Sequence, residues 1–205
     1  MEASVRDQVL EAADTAAPPP STREPGRARQ RILDVARDQF GARGYAQTPL
    51  RAVSDALGVT KAALYHHFKA KDDLLSAIVH PVLDRVDELI DGAGPSLAPQ
   101  QRPAFLAAYV DLLVANAGTV GLVLRDPAVG EHPVGRRFAR QHARMRTLLG
   151  SSDDAPAAIR ATTALRVMEL AVAEFGDADT DQLRATVLGI AIAVLDSTAP
   201  GPPPG

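Results

Sequence analysis

Apolar residues recur along this chain at helical rather than strand spacing. Between about Arg27 and Arg43, Ile32, Leu33, Ala36 and Phe40 make one stripe on a polar run, and Gly44 closes it. The stretch from Thr48 to Lys71 then predicts two short helices joined by a tight turn. Thr48 is placed to cap the first, Pro49 suits its first helical position, and Leu50, Val53 and Leu57 give its stripe. Gly58 supplies a left-handed stop, Val59 is read as a plug between the helices, and Thr60 caps the second. Leu64 and Phe68 turn inward, which leaves Lys61, Ala62, Ala63, Tyr65 and His66 facing outward. Tyr45 is read as a core plug. Two short helices in this order are a helix-turn-helix, whose second helix enters a DNA major groove.

Downstream the same periodicity predicts six further helices. The first spans about Lys71 to Ile90 on Leu74, Ile78, Leu83, Val86 and Ile90, with acidic Asp72 and Asp73 at its positive end and Pro81 inside. After the break at 91–96 come helices over about Pro99–Ala117, closed by Gly118, and Thr119–Arg125, stopped by Asp126-Pro127. Pro133–Leu149, Pro156–Phe175 and Thr180–Asp196 complete the set, with loops at 150–154 and 176–179. The last helix carries two apolar rows: Leu183, Val187, Ile190 and Val194, then Leu188, Ile192 and Leu195. A helix apolar on two sides has two partners. The second is read as the same helix pair of another copy.

Composition narrows the class. The hydrophobic share is 46% against 4% aromatic, which suits an alanine- and leucine-packed helical protein, and no cysteine is present for disulfides or thiol chemistry. No apolar run reaches the ~18 residues of a membrane span, and no signal-like h-region opens the chain, so the expected location is cytoplasmic. The net charge of -3 hides an asymmetry: residues 22–71 hold ten Arg or Lys and four acids, a net of +6, which leaves -9 elsewhere. A basic head on an acidic body fits a polyanionic partner at one end. The Pro18-Pro19-Pro20 run marks residues 1–25 as a disordered tail, as the Pro/Gly content does for 198–205. Val5, Val9 and Ala13 lie at helical spacing within that tail. Arg23, Arg27 and Arg29 make either a DNA-contacting arm or a solvated linker.

The runs Phe40-Gly41-Ala42-Arg43-Gly44-Tyr45-Ala46-Gln47-Thr48, Gly58-Val59-Thr60 and Leu64-Tyr65-His66-His67-Phe68-Lys69-Ala70-Lys71 resemble the DNA-binding domain of the TetR (tetracycline-repressor-like) transcription regulators. The resemblance covers Arg27 to about Leu75. Pro49, Ser54 and Ala70 depart from its pattern and bear on operator details. It implies an all-α protein: a helix-turn-helix domain at 26–72, then a helical effector-binding and dimerisation domain at 73–197.

The expected partners are an operator duplex, a small, mostly apolar effector, and a second copy through the last two helices. Arg51 is expected to read guanine. Lys61, Ala62, Ala63, Tyr65 and His66 are expected to present the groove face, and Thr48, Thr60, His67 and Lys71 to hold phosphates. Taken alone, Arg51 and Lys61 would be ordinary solvated charges. Effector linings are expected from Phe105, Tyr109, Leu113, Leu122, Phe138, His142, Met145 and Met168, each of which, taken singly, is also ordinary core.

The expected function is therefore an effector-released repressor. A regulator controlled by a protein partner or its own abundance stands as the alternative, and a helical enzyme as a remote one. No Gly-rich phosphate loop, nucleophile elbow or metalloprotease motif supports catalysis. His80, His132 and His142 are scattered without carboxylates at ligand spacing, so neither metal nor cofactor is expected.

Overall fold

The computed structural model describes residues 25–150 and 154–197, all of them helix or connection with no strand. The predicted tails, Arg23 and residues 151–153 of the predicted loop lie outside the described residues. The helices are α1 (Pro25–Arg43), α2 (Leu50–Leu57), α3 (Lys61–His67), α4 (Lys71–Gly92), α5 (Arg102–Ala115), α6 (Ala117–Arg125), α7 (Pro127–Glu131), α8 (Pro133–Leu149), α9 (Ala155–Phe175) and α10 (Thr180–Asp196).

Their buried side chains form two cores. One gathers Ile32, Ala36 and Phe40 of α1, Val53 of α2, Leu64 of α3 and Leu74 to Leu83 of α4. It also takes Leu122 and Val123 of α6, Val129 of α7 and Val134 of α8. The other joins Val86 and Ile90 of α4 to the interiors of α5, α8, α9 and α10. Helix α4 thus belongs to both, one buried stripe passing from the first core to the second between Leu83 and Val86. Pro81 sits just before that point, on the exposed side of an unbroken helix.

Helix α8 is pinned along α4 by a ladder of charges. Arg137 reaches Asp84 and Asp87, each at 2.7 Å, and Arg144 reaches Asp91 at 2.6 Å and Asp87 at 3.3 Å. Beneath them the Gln141 amide donates to the Leu83 carbonyl at 2.6 Å. Burial alone would raise the Asp87 pKa, but hydrogen bonds from Arg137 and Gln141 and both guanidinium charges outweigh it, and the carboxyl lies below its usual range.

Several local expectations are corrected. Thr48 does not cap α2; Pro49 holds the cap position, and the Thr48 hydroxyl donates backward to Gly44 O at 2.8 Å and Gln39 O at 3.2 Å. Val59 is 42% exposed, so it plugs nothing. The single helix expected over Pro99–Ala117 is a 3-10 turn at Pro99–Gln101 followed by α5, and Gly118 lies inside α6 rather than ending a helix. Asp126-Pro127 both ends α6 and opens α7, with the Asp126 carboxylate accepting from Ala128 N at 2.9 Å. On α10 the buried row is Leu183, Val187, Ala191 and Leu195, and Ile190 points outward.

Two glycines should respond to alanine with opposite signs. A Cβ at Gly135 runs into the carbonyl oxygens of Val129 and Gly130 where α8 crosses α7, whereas one at Gly41, inside α1, meets nothing within 4 Å. Urea melts should show Gly135→Ala destabilised by about 1–3 kcal/mol. They should show Gly41→Ala stabilised by about 0.5–1 kcal/mol.

Candidate nucleic-acid interface and bundle interior

Helix α3 is only seven residues long, so its ends carry much of its stability. Thr60 Oγ1 accepts from Ala63 N at 3.2 Å at the start, and Phe68 N donates to Leu64 O at the end. Gly58, with φ +66°, makes the turn that precedes it. Leu64 and Phe68 are buried, while Lys61, Ala62, Ala63, Tyr65 and His66 are exposed. The Lys61 ammonium lies 5.3 Å from the Tyr65 ring centre, and the His66 and His67 rings meet edge-on at 5.5 Å. Arg51 stands out from α2, largely solvated and 3.5 Å from Asp55. An exposed pair of this kind holds an arginine weakly, leaving its fork open to another acceptor.

Two members of the expected phosphate set are placed otherwise. Thr48 is fully buried with its hydroxyl turned into the α1 terminus, so it reaches no phosphate. Lys71 is half-buried; its ammonium donates to Tyr45 O at 2.9 Å and Ala46 O at 3.3 Å and lies 4.4 Å from the Tyr45 ring centre. Two of its three donors therefore serve the turn before α2. Tyr45 plugs the core as expected, its ring 5.2 Å from that of Phe40. It is also a junction: its hydroxyl donates to Asp72, and its backbone N–H donates to Asp126 between α6 and α7. Burial and the Asp72 hydrogen bond hold the Tyr45 phenol in its neutral form.

A cavity of about 20 Å³ lies between α4, α5, α6 and α8, beside Leu83, Val86, Tyr109, Leu113 and Phe138. Phe105, His142, Met145 and Met168 are buried close by in the same half of the molecule. Leu122 is not among them: it packs in the core below α1 and lines a 500 Å³ cleft with Phe40, Gly44 and Asp126. Its helix turns that face toward the N-terminal core.

Sequence reasoning missed the group around which the interior is polar. Glu169 is completely buried on α9; it accepts from Tyr109 Oη at 2.8 Å and from Arg166 at 2.9 Å. The spacing did carry a signal, because Glu169 continues the buried row Ala161, Leu165, Val172 of α9. His142 Nε2 lies 3.9 Å from the same carboxyl, buried and without a hydrogen-bond partner. Burial raises the Glu169 pKa to about 7, against the pull of Arg166 and Tyr109. Burial, then the charges of Arg166 and Arg146, lowers that of His142 to about 4. Among the described residues no cluster of His, Cys, Asp or Glu has the arrangement to hold a metal ion, and no single helix is long and apolar enough to cross a membrane.

Residues 32–78 match the family model for bacterial regulatory proteins of the tetR family. The HTH-type transcriptional repressor KstR2 of Rhodococcus jostii (strain RHA1) is 36% identical over 69 residues, 33% of this chain and 34% of that protein. The HTH-type transcriptional regulator AcrR of Shigella flexneri is 50% identical over 50 residues, 24% of this chain and 23% of that one. The matches span about a third or less of these relatives' length. Solved structures extend the likeness to the whole fold. SCO3833 of Streptomyces coelicolor A3, a TetR-family member, superposes with a TM-score of 0.65 at 23% identity over 82% of this chain and 91% of its own. Mycobacterium smegmatis AmtR gives 0.60 at 25% identity over 90% and 92%.

The raised Glu169 pKa makes stability depend on pH with a definite sign. The folded state holds this proton more tightly than the unfolded chain, so its stabilisation is complete below about pH 4.5 and is lost as pH rises through 7. Against wild type, Glu169→Gln should remove a loss on the order of 3 kcal/mol across that window. Urea melts at pH 5 and pH 8 measure it, and equal pH dependence in both proteins would contradict it.

Proposed function

We propose that this chain, whose residues 32–78 match the family model for bacterial regulatory proteins of the tetR family, is a cytoplasmic, homodimeric, sequence-specific transcriptional repressor of that family. A small, mostly apolar effector releases it from a near-palindromic operator. The carrying observation is the outward surface of α3, capped by Thr60 and seated on Leu64 and Phe68, with Arg51 solvated beside it. Residues 26–72 are read as the DNA-binding domain and 73–197 as the effector and dimerisation domain. Lys61, Tyr65, His66 and the Ala62 and Ala63 methyls meet base edges, and Thr60 and His67 meet phosphate. Two such helices one turn apart, about 34 Å, address successive major grooves.

The second copy is assigned to α9 and α10. These helices pack on one another, yet Ile159, Leu170 and Phe175 of α9 stay 65%, 56% and 60% exposed and Ile190 of α10 45% exposed. The same two helices in a second protomer supply the apolar cover that this surface lacks, forming a four-helix bundle.

Effector control rests on the bundle interior. Tyr109 and Thr119 line the small cavity, and Tyr109 in turn donates to Glu169, which also accepts from Arg166 and lies 3.9 Å from the unpartnered His142 Nε2. An effector that opens the small cavity between α4 and α8 binds the released state better, and only such differential affinity moves the heads. Helix α4, continuous from one core to the other through Pro81, carries that movement. The small volume of that cavity, about 20 Å³, also favours a second reading, in which a protein partner or abundance sets the regulation. Thermal shifts across a panel of small apolar molecules separate the two: a stabilising hit that lowers DNA affinity supports effector control, and its absence favours the second reading.

Arg51→Ala should relax selectivity at one base pair by about 1–3 kcal/mol, read from competition among single-base variants of the selected site. Equal losses on every duplex would place Arg51 on phosphate. Leu170→Arg combined with Ile190→Arg should halve the mass seen in analytical ultracentrifugation while the helical circular dichroism stays unchanged. An unaltered mass would place the dimer contact elsewhere.

A further inference from the structure

A groove of about 540 Å³ runs between the start of α1 and the turn into α3. Ile32, Leu57 and Val59 form its apolar wall, and Arg27, Arg31 and His67 border it. Val59 is 42% exposed there, an aliphatic side chain left in water beside the surface that carries the recognition residues. The groove opens next to the point where residues 1–24 join the folded chain, since Arg27 is two residues beyond Pro25.

The sequence of that preceding segment complements the groove in its apolar face and the surrounding basic head in its net charge. Val5, Val9, Ala12 and Ala13 fall on one face at helical spacing, and Asp7, Glu11 and Asp14 fall on the opposite face. Residues 1–22 carry four carboxylates, Glu2, Asp7, Glu11 and Asp14, against a single basic side chain, Arg6, and they adjoin a head of net +6. About ten residues separate Asp14 from Pro25, a reach of up to ~35 Å.

From this complementarity we infer that residues 2–14 dock into the groove as an amphipathic segment and oppose DNA binding. The apolar face covers Ile32, Leu57 and Val59. The three carboxylates then face outward, where approaching phosphates meet them as like charges beside α3. The segment is an internal competitor for the duplex. A short tether gives an effective concentration on the order of millimolar, so an intrinsic affinity of only ~100 µM keeps the groove about nine-tenths occupied. The apparent affinity for DNA then falls about tenfold, in proportion to the open fraction.

The absence of cysteine in the chain makes a single label specific. With a nitroxide on Ala3→Cys in the full chain, the amide signals of Val59 and Ala63 should lose intensity several-fold, independent of protein concentration. Val59→Asp should restore the signal at Ala63. This readout needs no DNA, so it stands or falls apart from the proposed function. In parallel, deletion of residues 2–17, or the combined changes Glu2→Gln, Asp7→Asn, Glu11→Gln and Asp14→Asn, should tighten binding to a random-sequence duplex about tenfold at low salt. An unbroadened groove overturns the inference. Broadening that grows with concentration would assign the groove to a second copy, and weaker DNA binding on deletion would make the segment a DNA contact; either result overturns it as well.

Discussion

One helix is required by two cores at once. Leu74, Leu75, Ile78, Val79 and Leu83 of α4 close the N-terminal core, while Val86 and Ile90 one turn later belong to the larger bundle. The ladder from Arg137 and Arg144 to Asp84, Asp87 and Asp91 ties α8 along the same helix. A displacement of α4 against the bundle therefore moves the platform that carries α2 and α3. Tyr45 adds a second tie, bonded to Asp72 at the start of α4 and to Asp126 between α6 and α7.

The bundle interior holds a tension of the opposite kind. Its cavity is about 20 Å³, close to the volume that admits one water molecule, yet the interior contains a buried carboxyl, a phenol and an unpartnered imidazole nitrogen. Groups of this sort are expensive to bury unless something completes their hydrogen bonding. Glu169 relieves part of the cost by holding its proton, and Tyr109 and Arg166 relieve more.

Much of the fold was legible because helix punctuation is local. Helices α8 and α10 begin and end where proline, glycine and acidic caps place them, at Pro133–Leu149 and Thr180–Asp196. The five-residue α7 was missed because Asp126-Pro127 reads as a stop, although the same pair is a start when the aspartate caps the next helical turn. Thr48 and Lys71 were legible as residue types in a DNA-binding motif. The direction of their side chains was not, since it depends on which carbonyl groups α1 and the turn after it leave open at Gln39, Gly44, Tyr45 and Ala46. Glu169 shows the converse: a carboxylate within a buried row looks like a surface residue until its three-dimensional partners are known. Leu122 fell to the wrong core because α6 faces both.

The most direct test of a dimeric, sequence-reading regulator is selection from a random duplex library, with titration of the winner at several salt concentrations. Enrichment of a near-palindrome, bound at least a thousandfold (~10³) more tightly than scrambled DNA near physiological salt, is the predicted result. Failure to enrich any sequence, with binding that vanishes as salt rises, would contradict it and reduce the N-terminal helices to a basic surface.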